Sequence, residues 1–553
     1  MAFLSQMFSS DPGVILVLAD VIKVLFAMAF GACLGSLTNV LVYRIPLGLD
    51  VVSPPSRCPS CQTLLTWREN IPVFGWLMLR GRCRFCRSPI SPEYPLVEAY
   101  VAALFGAAFV LTYSDFNTPW HSALAPFRPD WGSAGFMATW PVFVVVLVLF
   151  GSLVAMFLTD AKTFQIPMVL TWVPAIAGLV GHTGFALWLE FFGEKRRLVG
   201  LPGTRLEHVW SIATPGHHSW WWIGAAIGGG LGVVVANLLL KYGVFTRSFG
   251  DYESWEKQAR AEAEAKKATA VPDATSSPVE GGQDPAIPTD GTKPDEPSKP
   301  AIETGPETPA EEAPGQRWLL LGILSAAVAA GVVAWGLWKG EWIMPSVVGL
   351  AAVLHVAILS AVGHTATGAG EDQAYWLQYP HARREMLREL IFLSPIAGLA
   401  MVGGWAAHRL GGPWEFSQAA MQLVPAQTPP AWLMVLAGVL LGYLVGGGIV
   451  WMVRILGSLA FNKEAMGLGD VHLLAAVGAC LGWIDAVGAF FAAVVVGAVW
   501  GVLGSVLGGS FRRMLPFGPF LVLGTLMVWF AKQGLIEWAV NAIAKPAVRI
   551  HLP

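Results

Sequence analysis

Stretches of about twenty apolar residues recur along this chain, and they limit what it can fold into. A helix crossing a bilayer needs about 20 mainly apolar residues, with its backbone polar groups satisfied within the segment. Such stretches lie near 18–43, 95–113, 136–158, 166–190, 219–243, 318–338, 342–363, 389–407, 431–457, 485–507 and 517–536. A shorter apolar helix, 471–483, follows Asp470 directly. Counting it predicts an all-α polytopic membrane protein with about twelve transmembrane helices. Composition agrees: 13% of residues are charged, against about one quarter in soluble domains. The net charge of −2 at pH 7 gives no reason to expect a nucleic-acid partner; the lipid bilayer is the expected surrounding. The start, MAFLSQMFSSDPG, has no basic region before its apolar stretch, so the first span is expected to be retained and not cleaved as a signal peptide.

Two segments do not read as membrane. Residues 46–94 carry Arg57, Arg68, Arg80, Arg82, Arg84 and Arg87 with four paired cysteines. Residues 250–316 are rich in Pro, Glu, Ala, Thr and Lys and cannot bury enough apolar surface to offset their ordering entropy. They read as a disordered linker opening with a short charged helix, ESWEKQARAEAEAKKA. Lys and Arg favour cytoplasmic loops. The arginine-rich 46–94 segment is therefore placed inside, as are the linker, Arg383/Arg384/Arg388, Arg454/Lys463 and Arg512/Arg513. The 191–218 loop, with Lys195, Arg196, Arg197 and Arg205, is an exception that falls outside.

The stretch GLGDVHLL, 467–474, places Asp470 at the mouth of an apolar helix. A carboxylate at a helix centre in lipid costs roughly 2.5–3.5 kcal/mol on insertion scales, so a partner is expected. Asp160, in FLTDAKTFQIP, leaves a span in a similar way. An even number of expected spans separates the two, which returns both to one membrane face. Two carboxylates a few ångströms apart share a proton. One then acts as base on a water while the other polarises a scissile carbonyl, as in an aspartic-protease dyad. Gly467 and Gly469 lack side chains, so a substrate backbone could approach Asp470 there. Interfacial capping by each aspartate, or a proton or ion relay in a transporter, fits the same residues.

Cys58, Cys61, Cys83 and Cys86 form C-x2-C-x21-C-x2-C, a spacing that points to a tetrathiolate zinc site. A reducing cytoplasm disfavours disulfides there. Four thiolates close the coordination shell, so the metal would be structural. Cys33 and Cys480 lie alone in apolar runs and read as small buried hydrophobes. Two glycine ladders, Gly224/Gly228/Gly232 and Gly438/Gly442/Gly446, suit close helix packing. Asp20 and Lys23 can pair on one helix face. His217 and His218, beside Trp220, Trp221 and Trp222, suit an interfacial aromatic anchor.

Taken together, these motifs resemble the type IV prepilin peptidases, the GxGD class of intramembrane aspartic proteases. GLGD with the following LLAAVGACLGW resembles the second aspartate motif, and Asp160 with Lys162 and Ile166-Pro167 resembles the first. LGSLTNVLVYRIP at 34–46 resembles the amino-terminal signature. The cysteine pairs followed by SPEYPLVEAY resemble the cytoplasmic cysteine domain, and LPFGPFLVLG at 515–524 resembles the final span. The resemblance implies Asp160 and Asp470 as the catalytic pair. It implies cleavage of the basic leader of prepilins or pseudopilins at the cytoplasmic face of the bacterial inner membrane, in service of a type IV pilus or type II secretion machinery. It also implies methylation of the new amino terminus with S-adenosylmethionine. No GxGxxG follows a strand in this chain, so that donor's site rests on the resemblance; Asn39, Arg44 and Glu98 are candidate contributors, with snorkelling or capping as the plainer role. The implied organisation is a first span (1–45), a four-cysteine zinc domain (46–94), a membrane region with the first aspartate (95–190), an insertion with extra spans (191–430) and a membrane region with GxGD (431–553). The family places its aspartates about two spans apart, so the insertion is a departure. Met168 is another, standing where an acidic or amide residue is usual.

Overall fold

The computed structural model describes residues 12–113, 127–192, 210–262, 381–508 and 516–543, apart from short gaps and single positions within them. The helices are α1 (Pro12–Arg44), α2 (Phe74–Met78), α3 (Glu93–Tyr113), α4 (Phe136–Thr163), α5 (Met168–Phe191), α6 (Trp220–Lys241), α7 (Ala382–Leu410), α8 (Ala431–Phe461), α9 (Leu468–Leu481), α10 (Trp483–Gly508) and α11 (Gly518–Ile543). Among the described residues, eight helices are long and apolar enough to cross a membrane: α1, α3 to α8 and α10. The chain is a multi-pass helical membrane protein. The full expected count of twelve is not reached within the described residues. The expected spans at 318–338 and 342–363, His217, His218 and most of the 250–316 linker lie outside them. Residues 252–262 are helical where described, so ordered structure extends past the expected start of the linker. One small departure from an all-α chain is an antiparallel strand pair, β1 (Trp414–Ser417) and β2 (Gln422–Pro425).

The short helix lies at the heart of the bundle. With 14 residues, α9 rises roughly 21 Å, short of the ~30 Å hydrocarbon thickness. Residues Leu473 to Leu481 are all buried, and α4, α5, α8, α10 and α11 pack around them. A helix apolar on every side belongs in such a position. Its small residues, Ala475, Ala476, Gly478 and Ala479, admit neighbouring backbones. Gly482, at φ 90°, ends the helix in a conformation open to glycine and lets α10 start at the next residue.

The two ladders do separate jobs. Gly224, Gly228 and Gly232 of α6 meet the α7 backbone at Gly403, Leu399 and Ile396. In the second ladder, Gly442 and Gly446 of α8 meet α9 at Gly478 and Leu474, while Gly438 faces Ala213. Small residues give helices in lipid their dispersion contact, since burial from water drives little there. Of the two lone cysteines, Cys480 is buried and its Sγ donates to the Pro174 carbonyl at 3.0 Å. Cys33 departs from the expectation and is exposed. The inward face of α1 is taken by Gly31 and Gly35, which touch α3, and Cys33 lies off that face. Asp20 and Lys23 pair at 2.9 Å.

Candidate active site and metal centre

Asp160 lies in the last turn of α4 and Asp470 in the first turn of α9. The α4 helix stops just beyond Asp160: Phe164 adopts φ 55° and its N–H donates to the Asp160 carbonyl at 2.9 Å. The chain then runs through Ile166 and Pro167 into α5. Pro167 fits there as the residue before the helix because it has no N–H to satisfy. On the other side, Asn462 closes α8 at φ 52°, and Gly467 caps α9.

These ends converge. Both aspartates are buried, Asp160 5% and Asp470 7% exposed, and Asp160 is near enough for its charge to bear on Asp470. Ile166 sits between the two motifs. A methyl group added at Gly469 would come 2.9 Å from the Ile166 Cβ, and one added at Gly518 would come 3.1 Å from its Cδ1. The same added group at Gly518 would collide with Asp160 Oδ2. The carboxylate of Asp160 is therefore walled by the first residue of α11. Asp160 Oδ2 is buried without a hydrogen-bond partner; a buried oxygen in that condition calls for an explanation. Asp470 is placed where the α9 dipole favours negative charge, with the Gly467 backbone beside it.

The glycines of GLGD thus differ. Gly467 is open: an added methyl there would meet Asp470 Oδ2 at 3.6 Å and little else. Gly469 faces Ile166, whose side chain takes the space an added methyl group there would need. Sequence reasoning gives no role to Gly518, although LPFGPFLVLG stands out as a motif. It also counts Arg454 toward orientation alone. Arg454 is 2% exposed, acts electrostatically on Asp470, and donates to the Met466 carbonyl just before the GLGD stretch.

The four paired cysteines converge as the spacing predicted. Their Sγ atoms all lie within 4.8 Å of one another, with Cys58 to Cys86 at 3.8 Å and Cys61 to Cys83 at 4.0 Å. Four thiolates about 2.3 Å from one tetrahedral zinc stand about 3.8 Å apart, whereas a disulfide needs about 2.05 Å. The donor set fits a metal ion such as zinc. The two knuckles are near copies. The Cys58 N–H donates to Thr63 at 3.0 Å and the Cys83 N–H to Ser88 at 2.9 Å, while Gln62 and Arg87 sit at φ 57° and 61°. The Cys61 backbone N–H, followed by that of Ser60, brings the Cys58 thiol down to about 6.

Two of the three polar residues considered for the methyl donor, Arg44 and Glu98, tie this domain to the membrane helices, and the third, Asn39, joins α1 to α3. Asn39 donates to the Tyr94 carbonyl at 3.1 Å, Arg44 donates to Asp50 and Val51, and Glu98 accepts from the Val73 N–H at 2.6 Å. Lys162, two residues past Asp160, pairs with Glu93 at the start of α3. The cysteine domain and the acid pair therefore share one end of the bundle. Met168 opens α5 and is exposed.

Comparison with known proteins follows the same division. Residues 29–112 match the bacterial peptidase A24 N-terminal domain, and residues 414–502 match the type IV leader peptidase family. A Klebsiella pneumoniae protein named prepilin leader peptidase/N-methyltransferase is 35% identical over 193 residues, which cover 34% of this chain and 72% of the relative. A protein of the same name from Myxococcus xanthus is 51% identical over 82 residues, covering 15% of this chain and 24% of the relative. Another, from Aeromonas hydrophila, is 32% identical over 177 residues, covering 28% and 53%. This chain thus spans less than two thirds of the latter two. No solved structure matches it. The matched stretches carry the cysteine domain and the GLGD helix, and on that ground the chain belongs to the type IV prepilin leader peptidase family.

Proposed function

We propose that this protein is an intramembrane aspartic endopeptidase that removes the leader of type IV prepilins or pseudopilins, with Asp160 and Asp470 as the catalytic pair. The meeting of these two buried carboxylates carries the reading. One is the base that takes a proton from water; the other, protonated, donates a hydrogen bond to the scissile carbonyl. Water adds to that carbonyl, and the proton passes to the leaving amine as the peptide C–N bond breaks. The prepilin backbone approaches over Gly467, the open side of the pair. The site faces the cytoplasm across the bacterial inner membrane, since the arginine-rich cysteine domain lies at the same end. Partners are the prepilins and, through them, a type IV pilus or type II secretion machinery.

Cys58, Cys61, Cys83 and Cys86 would hold a Zn2+ ion, whose role with four thiolate ligands would be structural. Methylation of the new amino terminus from S-adenosylmethionine is supported by the relatives' names. Arg44 and Glu98 are engaged in tethering the cysteine domain and Asn39 in joining α1 to α3, so no step through the methyl donor is assigned to them.

The test is cleavage of a co-expressed prepilin by Asp160→Asn and by Asp470→Asn, each in the full chain. Either change alone should lower cleavage by roughly 10³-fold or more while the protein still inserts and folds. Normal maturation by either variant would refute the pair; a transporter relay would behave that way.

A further inference from the structure

The insertion reaches the acid pair through one buried ion pair. Glu389, on α7, is 3% exposed. Its carboxylate accepts from Arg454 Nε at 3.1 Å, from Arg454 Nη2 at 3.0 Å and from Trp451 Nε1 at 2.7 Å. The other edge of the same guanidinium, Nη1, donates to Glu464 at 2.6 Å and to the Met466 carbonyl. Arg454 thus joins α7 to the loop that delivers Gly467 and Asp470. The segment that follows α6 closes on it as well. Phe249 places its ring 5.3 Å from the Arg454 guanidinium, and its N–H donates to the buried Glu385 of α7 at 2.9 Å. Two further bonds hold the same region: Arg383 donates to the Leu459 carbonyl, and the Ala465 N–H donates to Ser458, both at 3.0 Å.

We propose that Glu389 is a positioning residue for Asp470, holding the Arg454 guanidinium so that its opposite edge fixes the 462–467 loop. This rests on the proteolytic reading of the acid pair. Geometry and charge both support it. A guanidinium is a planar fork with five donors, so gripping one edge orients the other. A buried arginine also needs a counter-charge. With Glu389 present, Arg454 has one across α7. Without it, the guanidinium turns toward the remaining acids on its loop side, Glu464 and Asp470, and draws Asp470 away from Asp160. The helices of the insertion are then part of the support of the active site. Both α6 and α7 lie outside the stretches that match the family models.

The experiment compares the full chain with Glu389→Gln, Glu389→Asp and Arg454→Lys in lipid nanodiscs. It measures steady-state cleavage of a prepilin and backbone amide exchange by mass spectrometry. Glu389→Gln should lower kcat roughly tenfold or more with KM within about twofold, and speed exchange across 462–469 while the α4 peptides stay protected. Glu389→Asp should recover most of kcat. Arg454→Lys, which keeps charge and loses the fork, should behave like Glu389→Gln. Wild-type kcat and exchange in Glu389→Gln would overturn the proposal. So would a loss of protection spread evenly over all helices, which marks a packing role only. If the unmodified chain cleaves no prepilin but Glu389→Gln still loosens 462–469, the tether holds and the proteolytic reading alone fails.

Discussion

The cysteine domain and the acid pair both fix polar groups in place, yet they draw on different parts of the chain. In the cysteine domain every thiol comes from residues 58–86, and each knuckle is shaped by its own few backbone hydrogen bonds. The acid pair joins residues 160 and 470, and its walls come from Ile166 and Gly518. A local centre depends on spacing and on a metal. A remote one depends on helix packing being right over most of the bundle. The first should therefore fail by losing its ligand, and the second by losing its alignment.

Alignment can be attacked at Gly518. An added methyl group there collides with the Asp160 carboxylate, and misplacement by about 1 Å can cost roughly 10²-fold. Gly518→Ala should lower kcat by about that factor while metal content stays unchanged. Metal loss with retained cleavage in this variant would reverse the contrast. The ligand side is attacked with Cys58→Ser. Elemental analysis should then fall from about one zinc per chain to near none, and the cysteine domain should become sensitive to limited proteolysis. Cleavage by the acid pair should drop by only about tenfold, because the link between the two centres runs through contacts such as Lys162 with Glu93. Full metal retention would remove zinc from the account.

The gentlest probe is pH. The folded domain holds the Cys58 thiol at about 6, mainly through the Cys61 backbone N–H. A lowered thiol contributes stability above its ordinary range, and that stability is lost as pH falls through the folded value. In the metal-free chain the Cys58 thiolate, followed by its ultraviolet absorbance, should therefore be lost as pH drops through about 6. A thiolate that forms only in the ordinary thiol range would mean that the backbone donors do not act on this thiol.

The helices were legible because hydrophobic length is a local property, and the cysteine site because its spacing is short. Cys33 was misjudged for a related reason. Apolar neighbours tell that a residue is in the membrane segment, and they do not tell which side of the helix faces protein. Gly469 shows the same limit: the sequence reveals that space is needed beside Asp470, while the occupant of that space, Ile166, is known only from the fold. Glu389 carried no signal at all, since its partner lies 65 residues away on a different helix.

By itself, the sequence determined the material of the bundle: which stretches are helical and apolar, where the thiols gather, and which two acids stand at the ends of spans. Those properties depend on composition and on spacing along the chain. The tertiary structure decided that α9 is enclosed on all sides, that Gly518 walls Asp160, and that an arginine links the insertion to the GLGD loop. Each of these depends on which helix faces are pressed together, and that choice is made by close packing among many small residues at once.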